Sequence, residues 1–264
     1  MVAIGRGEAE TASNYVVNSV VFDEPWNWLA AGWRDLVATP GLSLGYGAVF
    51  AAVSIALVDG LTFVGLQSVV LALAGGFLIL GPLFAVGLYE ISRRRAAGEP
   101  VTISSVLRVK TQSPLQLVYM GFVLLFIFSA WLRFAFLLFA VFFGDAVLPP
   151  AERFVPELLF TSHGLGLLIT GTMVGAGLAL LAYAVSVVSI PMLMTERVDF
   201  ITAIFLSIQT VVKNPVPMML WAALIAGIMA CGIALAFVGL VVAFPLVGHA
   251  TWHAYRDLVH VSPE

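Results

Sequence analysis

Charged side chains are scarce in this chain of 264 residues, in which Asp, Glu, Lys and Arg together make up 10%. A soluble globular domain carries about 25% charged residues, so the composition excludes an ordinary soluble protein. The single cysteine, Cys231, excludes a disulfide framework and a Cys-x-x-Cys motif. The sequence has no basic patch, and its formal net charge of -3 gives no reason to expect a nucleic-acid partner.

Long apolar runs take the place of charge. Hydrophobic residues make up 61% of the chain, and runs of roughly 18 or more residues can each cross a hydrocarbon core of about 30 Å as a helix. The runs are continuous rather than alternating, which favours helices in the lipid bilayer over a barrel. We therefore predict an all-α membrane protein with six transmembrane helices in three hairpins, forming a single membrane domain over residues 23–264. The predicted spans are residues 42–58, 61–88, 115–143, 165–194, 217–237 and 240–259.

Two segments outside these spans are amphipathic. Residues 23–40 place Trp26, Leu29 and Trp33 on one helical face, which predicts a helix in the cytoplasmic membrane interface. Residues 198–212 mix polar and apolar side chains and predict a second interfacial helix. Residues 1–22 lack the basic, apolar and small-residue regions of a signal peptide. We expect them to form a flexible N-terminal tail.

The cations decide the predicted orientation, because Lys and Arg concentrate in cytoplasmic loops. Arg153 lies on one side of the six-span topology, and Arg133 lies within the third span. The other ten fall on the opposite side: Arg6, Arg34, Arg93, Arg94, Arg95, Arg108, Lys110, Arg197, Lys213 and Arg256. This asymmetry predicts that both termini are cytoplasmic.

Prolines occupy equivalent positions in the three predicted hairpins. One precedes each first span and another lies inside each second span, in the pairs Pro40 and Pro82, Pro114 and Pro191, and Pro215 and Pro245. The pattern is typical of an internal repeat, although isolated prolines are also ordinary in membrane helices. Glu90, Asp199 and His253 each lie eight residues after a second proline, and Arg256 lies eleven residues after Pro245. A threefold arrangement would gather such residues near the cytoplasmic surface. The predicted polar cluster is Glu90, Asp199 and Arg256.

The last predicted span ends in a concentration of polar chemistry. His249 and His253 are four residues apart and share a helical face. Such a pair can supply two ligands to a metal ion, with further ligands from another helix. Met ligands would favour copper, whereas a carboxylate would favour zinc or iron. The alternative interpretation is structural, with the polar side chains hydrogen-bonded to neighbouring helices and headgroups.

Arg133 is the one charge predicted inside a long apolar run. An unpaired Arg at the centre of a membrane helix costs about 2.5 to 3.5 kcal/mol on insertion scales. The functional interpretation is contact with an anion or a partner. The structural interpretation is a tilted helix from which the side chain reaches the outer headgroups.

The sequence contains no phosphate loop, no HExxH and no GxSxG motif, so we predict no catalytic residue. We expect no cofactor, with a metal ion at His249 and His253 as the alternative. The leading hypothesis is an accessory or assembly component that packs against a larger membrane complex of the respiratory type. The alternatives are a small-solute or metal transporter lined by His249, His253 and Glu90, and a metal-binding or haem-binding protein.

Four segments carry a resemblance to a known family. They are GHATWHAYR at residues 248–256, GPLFAVGLYEISRR at 81–94, DFITA at 199–203 and KNP at 213–215. In these segments the chain resembles an uncharacterised family of predicted bacterial integral membrane proteins. The resemblance implies a multi-pass protein of the bacterial inner membrane, and it implies no active site.

Overall fold

The computed structural model describes residues 15–66, 68–144 and 151–261, most of which are helical. Its elements are β1 (Tyr15–Val17), α1 (Glu24–Ala38), α2 (Pro40–Phe63), α3 (Ser68–Phe84), α4 (Val86–Ala96), α5 (Ile103–Leu107), α6 (Pro114–Phe143), α7 (Ala151–Phe160), α8 (Ser162–Ser186), α9 (Ser189–Thr195), α10 (Phe200–Lys213), α11 (Pro215–Ala234), α12 (Leu240–Leu258) and β2 (Val259–Val261). The predicted all-α membrane class is therefore confirmed, and the two short strands are an addition to it.

The count of six apolar spans is not confirmed. Five helical segments are long and apolar enough to cross a membrane: Pro40–Phe63, Val69–Ala96, Pro114–Phe143, Ser162–Thr195 and Pro215–Ala234. The predicted sixth span corresponds to α12, whose second half carries His249, His253 and Arg256 and is not apolar. These polar groups are tolerated because α12 is largely enclosed by other helices rather than by lipid.

Two predicted boundaries move. The first span continues through Asp59 and Gly60, where we expected a turn, and the chain turns instead at Gly65, whose φ of +77° suits glycine. The fourth span is interrupted between α8 and α9. Pro191 has no N–H to donate to the carbonyl of Val187, so the helix is broken just before it.

The first span of each hairpin begins with the same local structure. Thr39, Ser113 and Asn214 precede the prolines that open α2, α6 and α11. Their backbone angles are nearly equal, with φ of -130°, -127° and -121° and ψ of 52°, 62° and 55°. A proline is well accommodated at the first position of a helix because the N–H it lacks would have no partner there. The three helix starts are consistent with the predicted repeat.

We expected residues 1–22 to form a flexible tail, but the described part of this segment, from residue 15 onward, is held against the rest of the chain. Residues 1–14 lie outside the described part of the chain. β1 pairs with β2 in an antiparallel arrangement, with Tyr15 opposite Val261. The amide of Asn18 donates to the carbonyl of Leu258 at 2.8 Å, and Lys213 Nζ donates to the carbonyl of Val17 at 2.6 Å. A polar stretch can be held in this way when its backbone pairs with another strand, which its side chains alone do not reveal.

The core lies around α12, which packs against α1, α2, α4 and α11. Glycines allow this close approach. A Cβ atom on Gly32 would lie 2.6 Å from the backbone nitrogen of Ala250, and one on Gly248 would lie 2.6 Å from Leu88 Cδ1. Small residues at helix crossings are a common device of membrane proteins, since lipid gives no strong hydrophobic drive for helices to associate.

Candidate functional site: the closing helix and the membrane cleft

His249 lies at the centre of α12 and is completely buried. Its Nδ1 lies 2.8 Å from Ser92 Oγ on α4, and its Nε2 lies 2.9 Å from Ser43 Oγ on α2. Ser92 also lies beside the carboxylate of Asp35. In a neutral imidazole one ring nitrogen donates and the other accepts, so His249 donates to one of the two serines and accepts from the other. Both ring nitrogens of His249 are thus in use.

His253, one turn further along α12, points to the interfacial helix α1. Its Nε2 donates to Asp35 Oδ2 at 2.8 Å, and Arg95 Nε donates to Asp35 Oδ1 at 2.8 Å. Burial by itself would raise the pKa of Asp35. The hydrogen bonds from His253, Ser92 and Arg95 outweigh it and lower the pKa from 3.8 to about 2. The carboxylate is therefore held ionised at the junction of three helices.

These contacts close into a ring. The Thr39 hydroxyl donates to the carbonyl of Asp35 at 2.9 Å and lies 3.1 Å from Ser43 Oγ. We call Asp35, Thr39, Ser43, Ser92 and His249 the polar ring. It joins α1, α2, α4 and α12 through side chains that are mostly buried, so it fixes the relative positions of these helices.

Further contacts hold the end of α12. Trp28 Nε1 on α1 donates to Asp257 Oδ2 at 2.8 Å, and the hydroxyls of Tyr255 and Thr195 lie 2.9 Å apart. His249, His253, Tyr255 and Asp257 therefore hydrogen-bond to neighbouring helices. This is the arrangement that the structural interpretation of the segment expected.

The structure does not assemble a metal centre around the two predicted ligands. In the described ranges, no group of three or more His, Cys, Asp or Glu residues is placed to hold a metal ion. His249 has two serine partners, and His253 is paired with Asp35. Metal binding by this pair gains no support from the geometry.

The predicted cluster of Glu90, Asp199 and Arg256 is not brought together, since no hydrogen bond or ion pair joins these three described residues. Glu90 is 2% exposed and is paired with Arg93 at 2.7 Å and with Arg94, both on its own helix. Asp199 caps α10 by accepting from the amide of Thr202 at 2.9 Å. Arg256 is exposed at the end of α12. The match in proline spacing therefore does not carry over to contact in space.

Arg133 lies on the exposed surface of α6, ten residues before that helix ends at Phe143. This is about 15 Å along the helix axis. None of the described residues forms a hydrogen bond or ion pair with it. Because α6 has 30 residues and spans about 45 Å, it is longer than the hydrocarbon core. An extended side chain at this position can reach toward the headgroups at the Phe143 end of the helix.

An apolar cavity, not expected from the sequence, lies beside the polar ring. It has a volume of about 290 Å³ and is bounded by α3, α4, α8, α11 and α12. Its polar lining residues are hydroxyl-bearing: Tyr89, Tyr183, Ser186 and Thr251. None of its lining residues is charged.

A second cavity of about 660 Å³ lies next to the first, between α3, α6, α8 and α11. Four residues line both cavities: Leu78, Ala176, Ala179 and Ala226. We call the two adjacent cavities together the cleft. Its far end lies at Leu167 on α8 and Ile233 on α11. Between Leu167 and Ser186, α8 rises about 28 Å, so the cleft runs nearly the whole depth of a hydrocarbon core.

The glycines and alanines of α3, α8 and α11 are the sequence signal of the cleft, although small residues at this spacing are also typical of tight helix contacts. Some of them do pack closely: a Cβ on Gly75 or on Gly175 would lie 3.0 Å from the Trp131 ring. A Cβ on Gly81 or on Gly171 would meet no atom within 4 Å. Sequence alone does not separate a glycine that permits contact from one that borders empty space.

Comparison with known proteins gives one match. No curated protein and no solved structure matches the chain. A family model described as "Predicted integral membrane protein (DUF2189)" matches residues 69–195, a little under half of the chain. The match runs from α3 to α9 and ends before the closing segment. In residues 69–195 the chain is therefore similar to a family of predicted integral membrane proteins of unknown function.

Proposed function

We propose that this protein is a non-catalytic integral membrane protein that holds an apolar molecule from the bilayer in its cleft. The observation that carries the proposal is an elongated, uncharged cavity at membrane depth, lined largely by small side chains. Pockets that bind small molecules are mostly apolar and contain a few well-placed polar groups. The cleft matches that description for a ligand already dissolved in lipid.

The lining argues against a route for a polar or charged solute. A hydrated ion or a metal would require polar or charged groups along its path. His249, His253 and Glu90, the residues predicted to line such a route, are not among the lining residues of either cavity. The polar groups of the chain instead gather in the polar ring and at the helix ends.

Photolabelling in lipid nanodiscs tests the proposal. The probe is a long-chain alkane with a diazirine and an alkyne, and the labelled peptides are identified by mass spectrometry. Lipid-facing helices should be labelled in proportion to probe concentration, whereas a binding cleft should show a saturable component on α3, α8 and α11. Gly171→Leu should lower that component, because its side chain would project into open cleft.

Gly177→Leu is the matched control for Gly171→Leu. Gly177 is on the same helix, also has open space around it and does not line the cleft. It should leave the saturable component unchanged. Purely linear labelling of the wild-type protein would overturn the proposal, as would equal effects of the two substitutions.

The accessory role in a larger membrane complex is a second proposal. The feature in its favour is α6, which exposes several large aromatic side chains, with Phe122, Phe126 and Phe136 among them. Aromatic residues are enriched in protein interfaces. Purification in a gentle detergent with mass spectrometry of associated proteins tests this role. Recovery of the chain without a stable partner would contradict it.

We also propose a location in the bacterial inner membrane, with α12 as a sixth span and both termini cytoplasmic. Contacts among the described residues support the placement of most cations on the same side of the membrane. Arg95 pairs with Asp35, Arg197 Nε donates to Gln112 at 3.4 Å, and Lys213 donates to the carbonyl of Val17. This asymmetry is typical of a cytoplasmic face.

Cysteine accessibility tests this orientation. In a Cys231→Ala background, Ser104→Cys and Val261→Cys should react with a membrane-impermeant maleimide from the cytoplasmic side. His163→Cys should react from the opposite side. Reaction of Ser104→Cys and His163→Cys from one side would contradict the topology, and reaction of Val261→Cys from the side of His163→Cys would contradict the sixth span.

A further inference from the structure

Ser186 is a polar group without a partner at one end of the cleft. It is fully buried, it lines the first cavity, and its hydroxyl has no hydrogen-bond partner within residues 15–66, 68–144 and 151–261. A buried hydroxyl without a partner is unfavourable, and more so where no water competes. The position therefore favours a molecule that supplies the missing hydrogen bond.

Four other hydroxyls in these membrane helices behave differently. They donate to the carbonyl four residues earlier in their own helix: Ser129 to Leu125, Thr170 to Gly166, Ser189 to Val185 and Thr251 to Val247. This is the usual solution for Ser and Thr in a membrane helix. Ser186 makes no such bond to Ala182. Its proton is available to a ligand, while Thr251, which lines the same cavity, can still accept.

Two other buried groups lack partners, the indole N–H groups of Trp221 and Trp252. Neither residue lines the cleft. Ser186 is therefore the unpartnered donor that coincides with the cavity in the described part of the chain.

We infer, on the basis of the proposed function, that the occupant is an uncharged single-chain lipid whose carbonyl oxygen accepts a hydrogen bond from Ser186 Oγ. Its polar end lies among Ser186, Thr251 and Tyr89, and its chain extends past Ala176 and Ala226 toward Ile233. The absence of cationic residues from the lining disfavours a phosphate or carboxylate head, which would be buried without a counter-charge.

The shape of the cleft agrees with this chemistry. Three of the four residues shared by the two cavities are alanines, Ala176, Ala179 and Ala226, so the side chains at the junction that a flexible hydrocarbon chain would cross are mostly small. The larger cavity, of about 660 Å³, has Thr172 as its one hydroxyl-bearing lining residue and otherwise offers apolar or aromatic surface. The polar contact is therefore confined to the end that contains Ser186.

The test compares two photoreactive probes of equal chain length in nanodiscs, a fatty-acid methyl ester and the corresponding alkane. The ester should half-saturate the cleft at a concentration about three- to tenfold lower, which corresponds to one hydrogen bond. Ser186→Ala should abolish this preference. Ser129→Ala should preserve it, because Ser129 lies on the lipid-facing side of α6 and bonds to its own helix.

The position of the label gives a readout that does not depend on the folding of any variant. A diazirine next to the ester carbonyl should label peptides that contain Thr251 or Tyr89. A diazirine at the chain end should label peptides that contain Leu167 or Ile233. The reverse pattern would overturn the inferred orientation.

The outcomes separate this inference from the proposed function. Saturable labelling with equal midpoints for ester and alkane would overturn the role of Ser186 and leave the apolar cleft standing. Tighter binding of the free fatty acid at neutral pH would overturn the requirement for an uncharged head. Loss of saturable labelling for every probe would contradict the proposed function and this inference with it.

Discussion

The two sides of α12 differ in polarity and in how tightly they pack against their neighbours. Around His249 and His253 its polar side chains find partners on α1, α2 and α4. Around Phe244 and Val247 it borders the cleft, where side chains are small and space is left open. The comparison teaches that polarity in this protein coincides with tight packing, whereas the apolar interior contains the free volume.

Glycine positions show the same contrast. At Gly32 an added Cβ would come within 2.6 Å of the α12 backbone. At Gly171 and Gly81, which border the cleft, it would meet nothing within 4 Å. Glycine thus allows close helix contact in one region and borders open space in the other. Substitutions that distinguish these roles are the direct way to test the comparison.

The largest expected effect is that of His249→Ala. It removes a fully buried ring and both of its hydrogen bonds to serine hydroxyls. Cavity formation and lost hydrogen bonds together should lower the free energy of unfolding by about 4 kcal/mol. The measurement is denaturant unfolding in mixed micelles.

His163→Ala is the control for this change, because His163 is exposed at the opposite end of the bundle. It should alter the free energy of unfolding by less than about 0.5 kcal/mol. Equal stability of His249→Ala and the wild-type protein would mean that the polar ring does not hold the helices together. Retention of a stoichiometric metal ion by the wild type, and its loss in His249→Ala, would restore the metal hypothesis.

The sequence predicted the membrane class and most helices because both depend on local composition. The apolar runs predicted the span that forms α6 almost to the residue. The paired prolines marked the first residues of α2 and α11. The role of the closing segment was left open between metal binding and packing. Only the positions of Ser43, Ser92 and Asp35, which lie far from α12 in sequence, distinguish these alternatives.

Gly32→Ala should have the next largest effect. The added methyl group would contact the backbone of Ala250, which cannot move aside as a flexible side chain would. Overpacking of this kind should lower the free energy of unfolding by about 3 kcal/mol. Gly45→Ala is the matched control, since a Cβ there meets no atom within 4 Å. A similar loss of stability in both variants would show that the close contact between α1 and α12 at Gly32 is not the cause of the destabilisation.

The ion pairs of Asp35 predict a smaller effect that depends on pH. Its pKa in the folded protein is about 2, below the ordinary value of 3.8, so the ionised carboxylate stabilises the fold by about 2 kcal/mol above that ordinary value. This stabilisation should be lost as the pH falls from about 4 through about 2. Urea unfolding midpoints measured across this range test the prediction.

Asp35→Asn isolates the contribution of this carboxylate. The variant should be less stable at neutral pH and should lose less stability than the wild type between about pH 4 and pH 2. Equal slopes for the two proteins in this range would assign the pH dependence to other carboxylates.

Two parts of the structure could not be read from local sequence. Tyr15–Val17 is held by pairing with a strand near the other end of the chain, a contact without a local signal. Whether the Ser186 hydroxyl has a hydrogen-bond partner depends on the atoms around it. Ser189, only three residues later, does donate a hydrogen bond within its own helix. A pattern of Ala and Gly indicates close helices, but whether they enclose space depends on how all of them are arranged.

The smallest expected effect has the opposite sign and lies on the cleft side of the comparison. Gly171→Ala adds a methyl group into open space within α8, where Ala is the better helix former. The free energy of unfolding should rise by about 0.5 to 1 kcal/mol, against the loss expected at Gly32. Destabilisation by Gly171→Ala would mean that the cleft is closed in the folded protein, and the contrast between the polar and apolar sides of α12 would then fail at the apolar side.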